Sequence, residues 1–172
     1  KGMVRHSEDQ YAVEVMNRIF GAGTFTSRLG VEVRSNRGLA YYVYGAVFED
    51  PDPRQGMALA LAGTRIDKAA ETIEVSRAII DSMDTQPVTD EELASAKDQI
   101  VNSFVFEFAK PAQIVSRQMW MEYQGYADDY LDTYMERILG VSEADVHRVA
   151  AKYLKPDDLR ILVVGNPDLL RE

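Results

Sequence analysis

Apolar residues fall at helical spacing from the start of the chain, where Ala12, Val15, Met16 and Ile19 share one face and predict a helix over about 7–20. Ser7, followed by Glu8, Asp9 and Gln10, offers an N-cap oxygen and acids for the positive end of that helix. Gly21-Ala22-Gly23 is expected to stop it. Residues 25–35 are ambiguous, because Phe25, Leu29 and Val33 repeat at helical spacing and are compatible with a short helix. After Gly38 the run LAYYVYGAVF, rich in Tyr and Val, predicts a strand at about 39–48 that is covered on at least one face. Glu49-Asp50-Pro51-Asp52-Pro53 reads as a turn. Next, Met57, Leu59 and Leu61 alternate with Ala58, Ala60 and Ala62, the pattern of a strand whose alanine face admits a helix at close range.

The second half reads as helices. Ile66, Ala69, Ile73, Ile80 and Met83 mark one over about 65–84, which Gln86-Pro87 ends. Thr89 and Glu92 form a capping box for the next, whose stripe of Leu93, Ala96, Ile100, Phe104 and Phe108 is interrupted at Lys110-Pro111. Two more helices are expected between 112 and 139, divided near Gly125, and Ser142 starts a last one buried through Val146, Val149, Ala150 and Tyr153. Beyond Pro156-Asp157-Asp158, LRILVVG predicts a short buried strand closed by Gly165-Asn166-Pro167. The order αββααααβ favours a two-layer α+β sandwich over a doubly wound sheet. With no internal repeat, low-complexity run or linker, residues 1–172 are expected to form a single domain.

Composition narrows the function. No apolar run is long enough to span a bilayer, and the N-terminus lacks the apolar core of a signal peptide. The chain opens with Lys, which points to a processed or excised fragment. With no cysteine there are no disulfides, thiolate zinc sites or thiol nucleophiles. The net charge of −9 arises entirely after residue 50, where twenty-two acidic groups face thirteen basic ones, while residues 1–50 carry six of each. That balance argues against nucleic acid and against anionic membrane surfaces, and it sets off Arg18, Arg28, Arg34 and Arg37 against an acidic body.

The candidate motifs follow from this. Gly21-Ala22-Gly23 follows a helix rather than a strand and lacks Gly-Lys-Ser/Thr, so it is no phosphate loop. His6 and His147 lie at opposite ends of the chain, neither in a His-x-x-Glu-His nor a His-Glu-x-x-His pattern, so no catalytic zinc is expected here. Glu91-Glu92 and Asp128-Asp129 read as helix N-terminal charges. Arg34 and Tyr41 are the pair to single out, since a loop turning at Gly38 brings a guanidinium and a phenol to one wall. There they would hold a peptide carbonyl with bonds of on the order of 1–3 kcal/mol each when desolvated. The competing reading is an edge salt bridge and a core aromatic.

The run Asn17-Arg18-Ile19-Phe20-Gly21-Ala22-Gly23-Thr24-Phe25-Thr26-Ser27-Arg28-Leu29, with Val33-Arg34 and Arg37-Gly38-Leu39-Ala40-Tyr41, resembles the C-terminal half of pitrilysin-type zinc peptidases. Pro87-Val88-Thr89, Val141-Ser142-Glu143-Ala144-Asp145-Val146 and Val163-Val164-Gly165 agree, so the resemblance covers about residues 10–166. That family includes insulin-degrading enzyme and mitochondrial processing peptidase. The resemblance implies a LuxS and processing-peptidase-like metallohydrolase sandwich, with a mostly antiparallel sheet packed against helices and the first strand or strands missing. It implies the non-catalytic half of a clam-shell, with zinc held by a zinc-bearing N-terminal half or partner subunit and none by this chain. Carried over residue by residue, Arg34 and Tyr41 would grip a peptide substrate, and Gly21, Gly23 and Phe25 would border the chamber as a gating loop; Ala22 stands where many members have a third glycine. The alternative it carries is an inert assembly subunit like the core proteins of respiratory complexes. Bacterial periplasm or cytoplasm and the mitochondrial matrix are the compartments it suggests, and it leaves self-association of the isolated domain open.

Overall fold

The computed structural model describes residues 1–50, 52 and 56–166. Its elements are β1 (Met3–Val4), α1 (Gln10–Asn17), β2 (Ala40–Asp50), β3 (Met57–Thr64), α2 (Ala69–Thr85), α3 (Asp90–Phe106), α4 (Pro111–Gln124), α5 (Tyr130–Gly140) and α6 (Glu143–Tyr153). Two wide turns with i→i+5 character, Arg18–Ala22 and Gly30–Asn36, lie between α1 and β2. The sheet has the order β1-β2-β3, with β2 and β3 antiparallel and β1 joined in parallel to the far end of β2. Helices cover one face, giving the expected two-layer α+β fold. Pro51 and Pro53 of the expected turn, and Pro167, lie outside the described residues.

The period-2 pattern of β3 sorts its side chains as expected. Ala58, Ala60 and Ala62 pack against the core, which lets α2 approach. The opposite face carries Met57 and Leu61, which pair across the register with Phe48 and Tyr44. All four are exposed together with Tyr42, so this sheet face is apolar and uncovered. Beneath the sheet, α1 packs on α3, α5 and α6 through fully buried Val15 and Met16, and Ile100, Ile138, Val146 and Val149 complete the core. Capping boxes start α3 at Thr89 and α6 at Ser142. Ser7 is not the cap of α1: its hydroxyl accepts from the Asp9 amide at 3.2 Å, and the helix starts at Gln10.

A second expectation is overturned. LRILVVG is neither a strand nor buried: Leu162 and Val164 are 86% and 89% exposed, and residues 159–164 pair with none of the described strands. Apolar β-branched residues supply only one side of a ladder, and an extended segment becomes a strand when a neighbouring edge accepts its backbone bonds. Nothing in the local sequence reveals whether that edge is there.

Candidate functional site

Residues 23–41 are built from buried anchors and exposed tips. Leu29 and Val33 are fully buried under β2, while Phe25, the first member of the same helical repeat, is 58% exposed. The chain tightens at both ends of this segment, where Thr24 and Gly38 adopt left-handed backbone with φ of 51° and 59°. The Gly38 amide donates to the Arg34 carbonyl at 3.1 Å and the Leu39 amide to the Val33 carbonyl at 2.9 Å, clamping the second wide turn to the start of β2.

Tyr41 sits at an irregularity. In the β2–β3 register Ala40 faces Thr64 and Tyr42 faces Gly63, so Tyr41 has no opposite residue and forms a bulge. A bulge re-aims the side chain it carries, and Tyr41 stands 83% exposed beside exposed Tyr42 instead of alternating into the core. The Arg34 guanidinium lies 4.4 Å from the centre of the Phe25 ring and 5.9 Å from that of Tyr41. Three of the residues singled out in the sequence thus meet at one exposed wall. Cation–π contacts at exposed sites contribute about 0.5–1 kcal/mol each, which orients the guanidinium and leaves its N–H edge available to a ligand.

The neighbouring arginines do other work. Arg28 donates twice to the Glu92 carboxylate, at 2.7 and 2.9 Å, and also to the carbonyls of Ser82 and Pro87, tying the first turn of α3 to the end of α2. Arg37 pairs with Glu32 on the surface. Among the described residues Arg34 has ring faces rather than a salt bridge as its contacts, and Tyr41 is in solvent rather than in the core.

Gly21 and Gly23 lie on the buried side of this segment. A Cβ on Gly21 would collide with the backbone of Gly45 in β2, and one on Gly23 would meet the Arg18 carbonyl. Glycine at both positions permits close packing, and the positive φ that helix-ending glycines commonly need falls on Thr24.

Two buried polar clusters escaped the sequence reading. Asp9 accepts from Arg148, from Lys152 at 2.6 Å and from the Tyr153 hydroxyl at 2.8 Å. Burial alone would raise this carboxyl, but the three donors outweigh it and hold it at about 2. Glu14 accepts from the Tyr134 hydroxyl at 2.5 Å, and its carboxyl is pushed up by burial. Both join residues more than a hundred positions apart, a relation that spacing cannot reveal. His6 and His147 bond the carbonyls of Gln124 and Asp84 respectively, and among the described residues no three His, Asp or Glu side chains gather as a metal site.

The family model of the peptidase M16 inactive domain matches residues 2–100. The chain belongs to that family. It is 30% identical over 153 residues to an uncharacterized zinc protease of Streptomyces coelicolor, an alignment covering 89% of this chain and 33% of the relative. A corresponding zinc protease of Bacillus subtilis is 29% identical over 119 residues, covering 68% of this chain and 28% of that protein. The chain therefore spans about one third of the length of these curated relatives. Among solved structures, a peptidase M16 inactive domain from Pseudomonas fluorescens superposes with a TM-score of 0.79 at 28% identity, over 91% of this chain and 37% of that one. A chain of complex III from Candida albicans shares the fold, with a TM-score of 0.70 at 17% identity over 88% of this chain and 37% of that one. No helix among the described residues of this inactive domain is long and apolar enough to cross a membrane.

Proposed function

We propose that this inactive domain is the substrate-gripping half of a zinc endopeptidase whose metal-bearing half is a separate domain or subunit. The observation that carries the reading is the half-buried Arg34 guanidinium, which lies against the exposed Phe25 and Tyr41 rings. Its N–H fork and the Tyr41 hydroxyl offer donors to the carbonyls of an extended peptide, a mode of recognition tolerant of sequence. The apolar sheet face formed by Tyr42, Tyr44, Phe48, Met57 and Leu61 gives such a peptide a surface for its side chains. Zinc in the other half would activate water for hydrolysis. This half holds and orients the peptide.

The test is peptide turnover by the enzyme assembled with its zinc-bearing half. Arg34→Ala and Tyr41→Phe are each expected to lower kcat/KM about 10- to 100-fold, the equivalent of losing one desolvated hydrogen bond. Unchanged turnover in both would end the assigned roles, and turnover lost only together with assembly would favour a scaffold subunit instead.

A further inference from the structure

At the far end of β2, about 26 Å from Tyr41 at the ordinary rise of a strand, lies a cavity of about 230 Å³ between α1, β2 and α4. Glu14, Glu49, Arg117, Trp120, Tyr126 and Tyr130 line it. Its size is below the roughly 300–1,000 Å³ of pockets that enclose a drug-sized ligand, so it admits one residue-sized group. Three of its polar groups already have partners. Glu49 is neutralised by Arg5 at 3.2 Å and also accepts from the Tyr126 hydroxyl, and Glu14 is bonded to Tyr134.

Arg117 is different. Its Nε is fully buried and has no hydrogen-bond partner, and its Nη2 reaches only a long 3.6 Å contact with Glu107. The guanidinium is held over the Trp120 ring at 5.3 Å, so its orientation is set while its Nε goes unmatched. An orphaned buried donor costs about 1–3 kcal/mol, and adjacent Nε and Nη2 donors match the two oxygens of a carboxylate. The two glutamates do not defeat an incoming anion: Glu49 is paired, and burial favours the neutral form of Glu14.

We infer that this cavity binds the carboxylate end of a peptide, gripped in a fork by Arg117 with the last side chain against Trp120, Tyr126 and Tyr130. An internal peptide carbonyl would satisfy only one of the two donors, whereas a chain terminus satisfies both and fits a pocket of this size. The site is separate from the Arg34 wall and does not depend on the role proposed for it.

Trp120 is the only tryptophan of the chain, which makes its emission a reporter of the pocket. The experiment titrates the 172-residue chain with acetyl-Ala-Ala-Phe as the free acid and as its C-terminal amide, each by tryptophan fluorescence and by calorimetry. The free acid is expected to give a saturable change and the amide to bind about tenfold more weakly or worse. Arg117→Gln is expected to abolish the difference and Arg117→Lys, which keeps the charge but loses the fork, to restore little of it. Equal binding of acid and amide, or no saturable response at millimolar peptide, would overturn the proposal; that comparison on the unaltered chain decides it even where an Arg117 variant does not fold.

Discussion

Asp9 shows how much one side chain carries in this molecule. It is 4% exposed, at the turn before α1, and its three donors all come from α6, so it joins the first and last helices of the chain. Its folded pKa of about 2 lies below the ordinary 3.8. A depressed carboxylate stabilises the fold above the unfolded pKa, and that contribution, about 2 kcal/mol, is lost as pH falls from about 4 to 2. Asp9→Asn is expected to lower unfolding free energy by about 2 kcal/mol at pH 7 and to flatten the acid limb of the stability curve, measured by urea denaturation across that range. A variant whose stability loss is the same at pH 2 and pH 7 would show that the charge is not what matters. The same scale separates the four early arginines. By residue type Arg28 and Arg34 are equivalent, yet one is bonded to Glu92 and two carbonyls, and the other lies against two exposed rings.

At the scale of elements, the segment from Arg18 to Asp50 combines wide turns, two left-handed residues and a bulged strand. Its key contact is Gly21 against Gly45, where two backbones meet with no side chain between them. Gly21→Ala has to push β2 away from the first wide turn. Overpacking of this kind costs about 1–3 kcal/mol, and chemical denaturation is expected to show that loss. Because β2 also carries Tyr41, the same variant is expected to weaken peptide turnover in the assembled enzyme; a fully stable Gly21→Ala chain would mean the contact relaxes freely. Elements whose signals are local were legible in advance. The Thr89–Glu92 box, the alanine face of β3 and the amphipathic stripes of α3 and α6 depend on spacing within a few residues, and they form as read except that α3 ends at Phe106, short of Phe108. The bulge at Tyr41 was not legible, because it is a property of two strands in register.

The whole molecule leaves apolar surface uncovered in several places. Residues 161–164 are exposed, as are Val115, Met119 and Tyr123 along one stripe of α4 and the outer face of the sheet. Exposed patches of this kind mark interaction surfaces, and an unpaired extended segment recruits edges from other chains. The isolated chain is accordingly expected to associate with rising concentration in sedimentation velocity, and Leu162→Asp with Val164→Asp to shift it towards monomer. A chain that stays monomeric without these substitutions would show that the segment is covered in solution.

The sequence by itself determined where α3 and α6 begin, which faces they and β3 bury, and which half of a zinc peptidase the chain resembles, and it singled out Arg34 and Tyr41 as candidates. These are local or additive properties, set by side-chain period, capping chemistry and motif spacing. Only the tertiary structure decided that Phe25 joins that pair, that Gly21 and Gly23 serve packing, that Asp9 and Glu14 sit in long-range polar clusters, and that LRILVVG is unpaired. Each of these depends on what lies across space from a residue, and a partner distant in sequence leaves no mark on the spacing of its neighbours.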